Sequence, residues 1–238
     1  RKLNLGCSLQ DDKKAESRDR NMNFDQARFN MVEQQIRPWE VLDPRVLSLL
    51  ETIHREDFVP VRYRKLAFAD IAVPLDHGQV MMRPKIEARM LQALDLQEDE
   101  TVLEIGTGSG FITACLASLS KRVVSVEIFE DLHQAALLDL QDKGMLNVEL
   151  FVGDVMNGWQ PEQAHDVVVV TGSVPGVPEQ FKGWVNPGGR MFVITGESPA
   201  MEAKLLRRLD VTQWAEESLF ETDLPRLINA EPPPEFEF

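Results

Sequence analysis

The chain has 238 residues, 43% hydrophobic and 27% charged, which is enough to close a full core and too apolar for a disordered segment. It holds no run of about 18 uncharged apolar residues, so no membrane-spanning helix is expected; with Cys7 and Cys115 its two cysteines, a disulfide scaffold is excluded and a reducing cytoplasm fits. A formal charge of −14 repels phosphate backbones, so no nucleic-acid partner is expected, whereas a cationic cofactor or a protein partner is easily accommodated.

Residues 1–21 are polar, with six Lys/Arg against four Asp/Glu, and they lack the apolar stretch of a secretion signal. We read them as a mobile extension ahead of Met22. Phe24, Ala27, Phe29 and Met31 through Ile36 predict an amphipathic helix closed by Pro38. Asp43-Pro44 predicts the start of a second helix, a cap followed by proline in the first turn, carrying Val46, Leu47, Leu49, Leu50 and Ile53. Residues 61–83 read as loop with short strands. Pro84 then begins a helix with Ile86, Met90, Leu91 and Leu94 on one face.

From Thr101 the pattern changes. Thr101 to Ile105 is a short apolar strand that runs into Gly106-Thr107-Gly108-Ser109-Gly110, and a helix with Phe111, Ile112, Cys115 and Leu119 follows. A second strand ends at Glu127, and a helix from about Glu130 to Lys143 stops at Gly144. Val148 to Val152, Asp166 to Thr171 and, after a Pro187-Gly188-Gly189 turn, Arg190 to Ile194 complete five strands. Strands alternating with helices predict an α/β fold built on a parallel sheet.

Ligands in such sheets sit beyond the carboxyl ends of the strands, where the strand order reverses. The glycine spacing is G-x-G-x-G, and the dinucleotide fingerprint would also need Gly or Ala where Phe111 stands. NAD is therefore not expected. Glu127 lies about 20 residues past Gly106, where a carboxylate can accept from both ribose hydroxyls. Glu104 adds a second negative charge beside the turn, and Asp154, after the third strand, is placed to meet an adenine amino group. Three carboxylates around one cleft suit a cationic cofactor without phosphate, and S-adenosyl-L-methionine has that chemistry. For Glu127 and Asp154 the alternative is a cap on the following helix.

The segment Val102 to Ala114 resembles the first motif of protein-L-isoaspartate O-methyltransferases. Val124 to Ile128, Gly153-Asp154 with Gly158-Trp159, Asp166 to Gly172 and Val185 to Arg190 are similar to that family's later motifs. Upstream, Phe58-Val59-Pro60, Ala67 to Asp70, and Pro74-Leu75 through Gly78-Gln79 match in order. The resemblance implies a Rossmann-like class I methyltransferase, with a mostly parallel twisted sheet, helices on both faces and a helical N-terminal cover. It implies S-adenosyl-L-methionine held by Gln79, Glu104, Gly106, Thr107, Gly108, Ser109, Gly110, Glu127, Ile128, Asp154, Val155 and Thr171, with no metal. Glu127 would take the ribose, Glu104 and the glycine turn the methionine part, and Asp154 the adenine. The implied acceptor is an isoaspartyl residue in a damaged protein or peptide. Residues 22–230 are expected to form the methyltransferase domain, split into a cover with the substrate loop (22–95) and a cofactor core (96–230). An acidic proline-rich tail is expected at 231–238.

One stretch departs from the family. Where its loop reads Gly-Gln-Thr-Ile-Ser-Gln-Pro, this chain has Gly78-Gln79-Val80-Met81-Met82-Arg83-Pro84. The hydroxyl positions are Val80 and Met82, and a thioether cannot donate a hydrogen bond. Met82 and Arg83 are the candidate acceptor-side positions: the Arg83 guanidinium is suited to a carboxylate, with a solvated surface arginine as the alternative. Three functions stay open: isoaspartyl methylation, methylation of another acceptor, and a cofactor-binding module without catalysis. His77 reads as a cofactor contact or a satisfied loop residue, Cys115 as core, and Trp159, Trp184 and Trp214 as packing. His54, His133 and His165 show no metal-ligand spacing.

Overall fold

The computed structural model describes residues 23–231. The expected extension ahead of Met22, and all but the first residue of the proline-rich tail, lie outside them. Asn23 accepts from the Gln26 amide at the start of helix α1 (Phe24–Met31). The helix widens into a π-type turn at Val32–Ile36 and ends in a tight turn at Arg37–Trp39, where Pro38 cannot extend the ladder. Asp43 caps α2 (Pro44–Thr52) by accepting from Arg45 N at 2.8 Å. The strands β1 (Val73–Pro74) and β2 (Val80–Met81) pair antiparallel around the Asp76–Gly78 turn and deliver the chain into α3 (Pro84–Leu94).

The main sheet has the order β5-β4-β3-β6-β7-β8-β9. Its parallel part comprises β3 (Thr101–Ile105), β4 (Arg122–Glu127), β5 (Val148–Val152), β6 (His165–Val174) and β7 (Val185–Glu197). Helix α4 (Phe111–Leu119) links β3 to β4, α5 (Glu130–Asp142) links β4 to β5, and the short α6 (Glu179–Gly183) precedes β7. The expected fifth strand begins earlier than Arg190: the register jumps from His165↔Val185 to Val167↔Arg190, so the Pro187-Gly188 turn is absorbed as an irregularity inside β7. Two strands were not expected. β8 (Ala200–Arg208) and β9 (Trp214–Thr222) form an antiparallel meander on the edge of β7. In β8 the buried Met201, Ala203 and Leu205 alternate with Glu202 and Lys204, the period of two that a strand with one covered face requires.

Strand residues alternate between two cores. Val102, Val123, Val167 and Phe192 face Phe111, Cys115 and Leu91 from α4 and α3, while Leu103, Val124, Val168 and Met191 face Phe181 and Trp184 around α6. Cys115 is fully buried, and burial pushes its thiol well above the ordinary range. Trp159 and Trp214 pack against the second core. β3 lies between β4 and β6, and that reversal of strand order opens a crevice at the carboxyl ends of the three strands.

Gly110 turns the chain from the glycine loop into α4 with φ +82, and a Cβ there would lie 3.2 Å from Ala136 Cβ on α5. Gly110→Ala is expected to cost about 1–2 kcal/mol, the penalty of a left-handed residue with a side chain, and urea titration of the two proteins reads it.

Candidate active site

β3 ends at Ile105, and the Gly106 N–H donates to Val126 O at 2.8 Å, which turns the chain across the mouth of β4. Gly106 has φ +97, and a Cβ would sit 2.5 Å from Thr171 Oγ1. The Thr171 hydroxyl itself reaches Gly106 O at 2.5 Å and Ile105 O at 2.9 Å, so β6 supports the turn from below. Glu127, 5% exposed, stands opposite. Its Oε2 accepts from Gly108 N at 2.8 Å, and its Oε1 from Ile128 N at 2.9 Å and Phe129 N at 3.1 Å. An ionised carboxylate offers about four acceptor positions, so capacity remains toward the cleft that Glu127 lines.

Glu104 lies beneath the turn, fully buried and outside the lining of the cleft. Its Oε2 accepts from Thr113 Oγ1 at 2.5 Å and Ser125 Oγ at 2.6 Å, and Ser125 pairs with Thr107 Oγ1 at 2.6 Å. Burial raises the Glu104 carboxyl to about 8; the hydroxyl bonds pull the other way, and the nearby Glu127 charge adds to the rise. Glu104 thus props the turn through Thr107 and does not face the cleft.

The cleft, about 600 Å³ and open to solvent, is bounded by Gly106, Gly108, Glu127, Asp154 and Thr171, with Ile128 and Val155 as apolar walls and Gln79 on the rim. Asp154 Oδ1 accepts from Met156 N and Asn157 N, and Oδ2 from Asn157 Nδ2 at 2.8 Å and Asn229 Nδ2 at 2.7 Å. Burial pushes the Asp154 carboxyl up, and these hydrogen bonds more than reverse it, leaving it below the ordinary aspartate value.

Several wall residues escaped the sequence reading. Leu227 and Ile228 reach the cleft from the segment after β9, which is held by Ser173 N to Pro225 O (3.0 Å) and Leu227 N to Ser173 O (2.9 Å). The apolar residues Leu224, Pro225, Leu227 and Ile228 following the last strand are the available signal. Phe129 is the other. His77 stacks on its ring at 4.0 Å and 5°, and His77 Nε2 meets both Asp131 oxygens at 2.8–2.9 Å. The His77 bond holds the Asp131 carboxyl below its ordinary value.

A second, smaller cavity, also open to solvent, shares Leu75, Val80, Gly106, Gly108 and Thr171 with the cleft. Met82, Thr107, Ser109 and Glu87 line it. Ser109 Oγ accepts from Phe111 N at 3.4 Å, a weak bond. Burial pushes the Glu87 carboxyl above its ordinary value, with Arg55 pulling the other way. Met82 is buried on this wall, whereas Arg83 is exposed and lies outside both linings. Among the described residues no three His, Cys, Asp or Glu side chains converge as metal ligands, and no helix is long and apolar enough to cross a membrane.

A switch-point crevice with a bare glycine turn and a carboxylate at the end of the next strand is the site of a Rossmann-like fold that binds an adenosine-bearing cofactor, and similarity to known proteins makes this chain an S-adenosylmethionine-dependent methyltransferase of class I architecture. The model of the protein-L-isoaspartate(D-aspartate) O-methyltransferase family matches residues 26–221, and the chain belongs to that family. It is 35% identical over 210 residues to protein-L-isoaspartate O-methyltransferase 2 of Pelobacter propionicus, covering 88% of this chain and 93% of that protein. The Myxococcus xanthus enzyme is 42% identical over 156 residues, 66% of this chain and 74% of its own. In fold, the chain is similar to a Plasmodium falciparum crystal structure described as a putative protein-L-isoaspartate O-methyltransferase in complex with S-adenosyl-L-homocysteine. The TM-score is 0.72 at 18% identity, covering 87% of this chain and 98% of that one.

Proposed function

We infer that this protein methylates the free carboxylate of isoaspartyl residues in damaged proteins, with S-adenosylmethionine as donor. The observation that carries the reading is the continuity of the two cavities around Gly106 and Gly108: a cofactor cleft on one side, an acceptor space behind the Gly78–Pro84 loop on the other. The residues present fit the cofactor. Gly106 leaves bare backbone where a side chain would collide with Thr171, Glu127 keeps acceptor capacity for ribose hydroxyls, and Ile128, Val155, Leu227 and Ile228 form an apolar slot suited to adenine. Asp154 lines the same cleft, but its two oxygens already accept four hydrogen bonds from Met156, Asn157 and Asn229, so it takes an adenine amino group only by giving up one of them.

When bound, S-adenosylmethionine supplies an electrophilic methyl on a sulfonium. The acceptor carboxylate is already ionised at neutral pH, so the chain needs no strong base. What its residues contribute is position. The turn and Glu127 fix one partner, the substrate loop the other, and such alignment is worth about 7–11 kcal/mol. The ester formed can collapse to a succinimide with loss of methanol, and water reopens the ring as normal aspartate or as isoaspartate for another round. The acidic chain and its buried Cys115 suit a cytoplasmic protein that acts on polypeptides and does not bind nucleic acid.

Incubating an isoaspartyl peptide with enzyme and S-adenosylmethionine, then separating products by chromatography, tests the reading. Accumulation of the aspartyl isomer is expected, and an unchanged isomer ratio with cofactor bound would transfer the activity to another acceptor. Met82→Ser restores a hydroxyl on the acceptor wall. It should raise kcat/KM for the isoaspartyl peptide by about two- to tenfold, the value of one neutral hydrogen bond. It should also lower the melting temperature, because a buried thioether is lost. Unchanged turnover would show that this position does not meet the acceptor.

A further inference from the structure

Arg55 is 1% exposed, and each of its nitrogens has a partner. Nε donates to Glu87 Oε2 at 2.9 Å and Nη2 to Glu87 Oε1 at 3.0 Å, a forked pair. Nη2 also donates to the Met82 carbonyl at 2.7 Å, and Nη1 to the Ala67 carbonyl at 2.8 Å. The guanidinium lies 5.4 Å over the Phe111 ring, at the first residue of the helix that follows the glycine turn. One side chain therefore joins the substrate loop, α3 and the floor of the acceptor cavity. Glu87, 1% exposed in the first turn of α3, lines that cavity beside Met82. A bare carboxylate there would repel an anionic acceptor, because the Glu87 side chain is itself buried and poorly screened by water.

We propose that Arg55 and Glu87 are a positioning pair for the methyl acceptor: Arg55 fixes the Met82 stretch of the substrate loop through its carbonyl and cancels the Glu87 charge on the cavity wall, so that a carboxylate can settle there. The proposal rests on the carboxyl-methylation reading above. A lysine cannot replace Arg55, because an ammonium is a point charge and cannot span Glu87, Ala67 and Met82 together. Removing the Glu87 charge acts in the opposite sense: the Arg55 charge is left to favour an anion, and its bond to Met82 survives.

The test compares Arg55→Lys and Glu87→Gln with the parent protein in four readouts: cofactor Kd, KM and kcat on an isoaspartyl peptide, amide hydrogen exchange over residues 79–83, and thermal unfolding. Arg55→Lys should raise KM about tenfold or more, the range for a lost hydrogen bond to a charged group. It should also speed exchange at 79–83 and leave cofactor Kd unchanged. Glu87→Gln should lower KM with exchange at 79–83 unchanged. Opposite KM shifts separate positioning from a general loss of stability. A folded Arg55→Lys protein with parental KM and exchange would overturn the proposal, as would kcat and KM moving together in both variants in step with melting temperature. If Arg55→Lys does not fold, Glu87→Gln decides, and an unchanged or raised KM refutes the charge role. A parent protein that binds cofactor without turning over the peptide would instead overturn the carboxyl-methylation reading; exchange at 79–83 would then still decide whether Arg55 anchors the loop.

Discussion

Glu127→Ala is expected to weaken S-adenosylmethionine binding by about 1.5–3 kcal/mol, the range for hydrogen bonds to a charged group, or about ten- to 150-fold in Kd. Two effects add. The ribose loses its acceptor, and Gly108, Ile128 and Phe129 lose the oxygen atoms that hold their N–H groups. The turn and the cleft wall loosen together. Glu127→Gln keeps the shape but replaces one acceptor oxygen with a donor, so it should fall between the two. Calorimetry with S-adenosylmethionine and its demethylated product measures both variants. Affinity unchanged in Glu127→Ala would remove Glu127 from the cofactor site.

The second large effect concerns pH. Glu104 has a folded-state value of about 8 against an ordinary 4.5, so the native chain holds a proton that the unfolded chain releases. Its contribution to stability is complete below pH 4.5 and is lost as pH rises through 8. Across that window the slope is about 1.4 kcal/mol per pH unit. Glu104→Gln keeps an oxygen for Thr113 and Ser125 but cannot titrate, and its unfolding free energy should lack this slope. Denaturant titrations of both proteins at pH 5.5, 6.5 and 7.5 give a difference curve in which other groups cancel, including His165, whose imidazole burial holds down. A difference that does not change with pH would mean the Glu104 proton is not retained on folding.

Much of the cofactor half was legible because its signals are local. Apolar runs bounded by Gly106-Thr107-Gly108 and Glu127 place strand, turn and acidic strand end within one unit, and the switch point follows from chain order. The unexpected parts depend on distant partners. β8 and β9 take their places by pairing at the edge of β7. Leu227 and Ile228 enter the cleft because Ser173 captures the chain after β9, a link over more than fifty residues. Glu104 sits between Leu103 and Ile105 on a central strand, a position that signals burial, yet its partners Thr113 and Ser125 come from α4 and β4. The Arg55 pair with Glu87 spans 32 residues and has no periodic signature.

Carboxyl methylation by this chain is decided by transfer of a labelled methyl group from S-adenosylmethionine to an isoaspartyl peptide, beside the same peptide with normal aspartate. Base-labile label is expected on the isoaspartyl peptide alone, despite the thioether at Met82. Equal labelling of both peptides, or none while calorimetry shows cofactor bound, would contradict it.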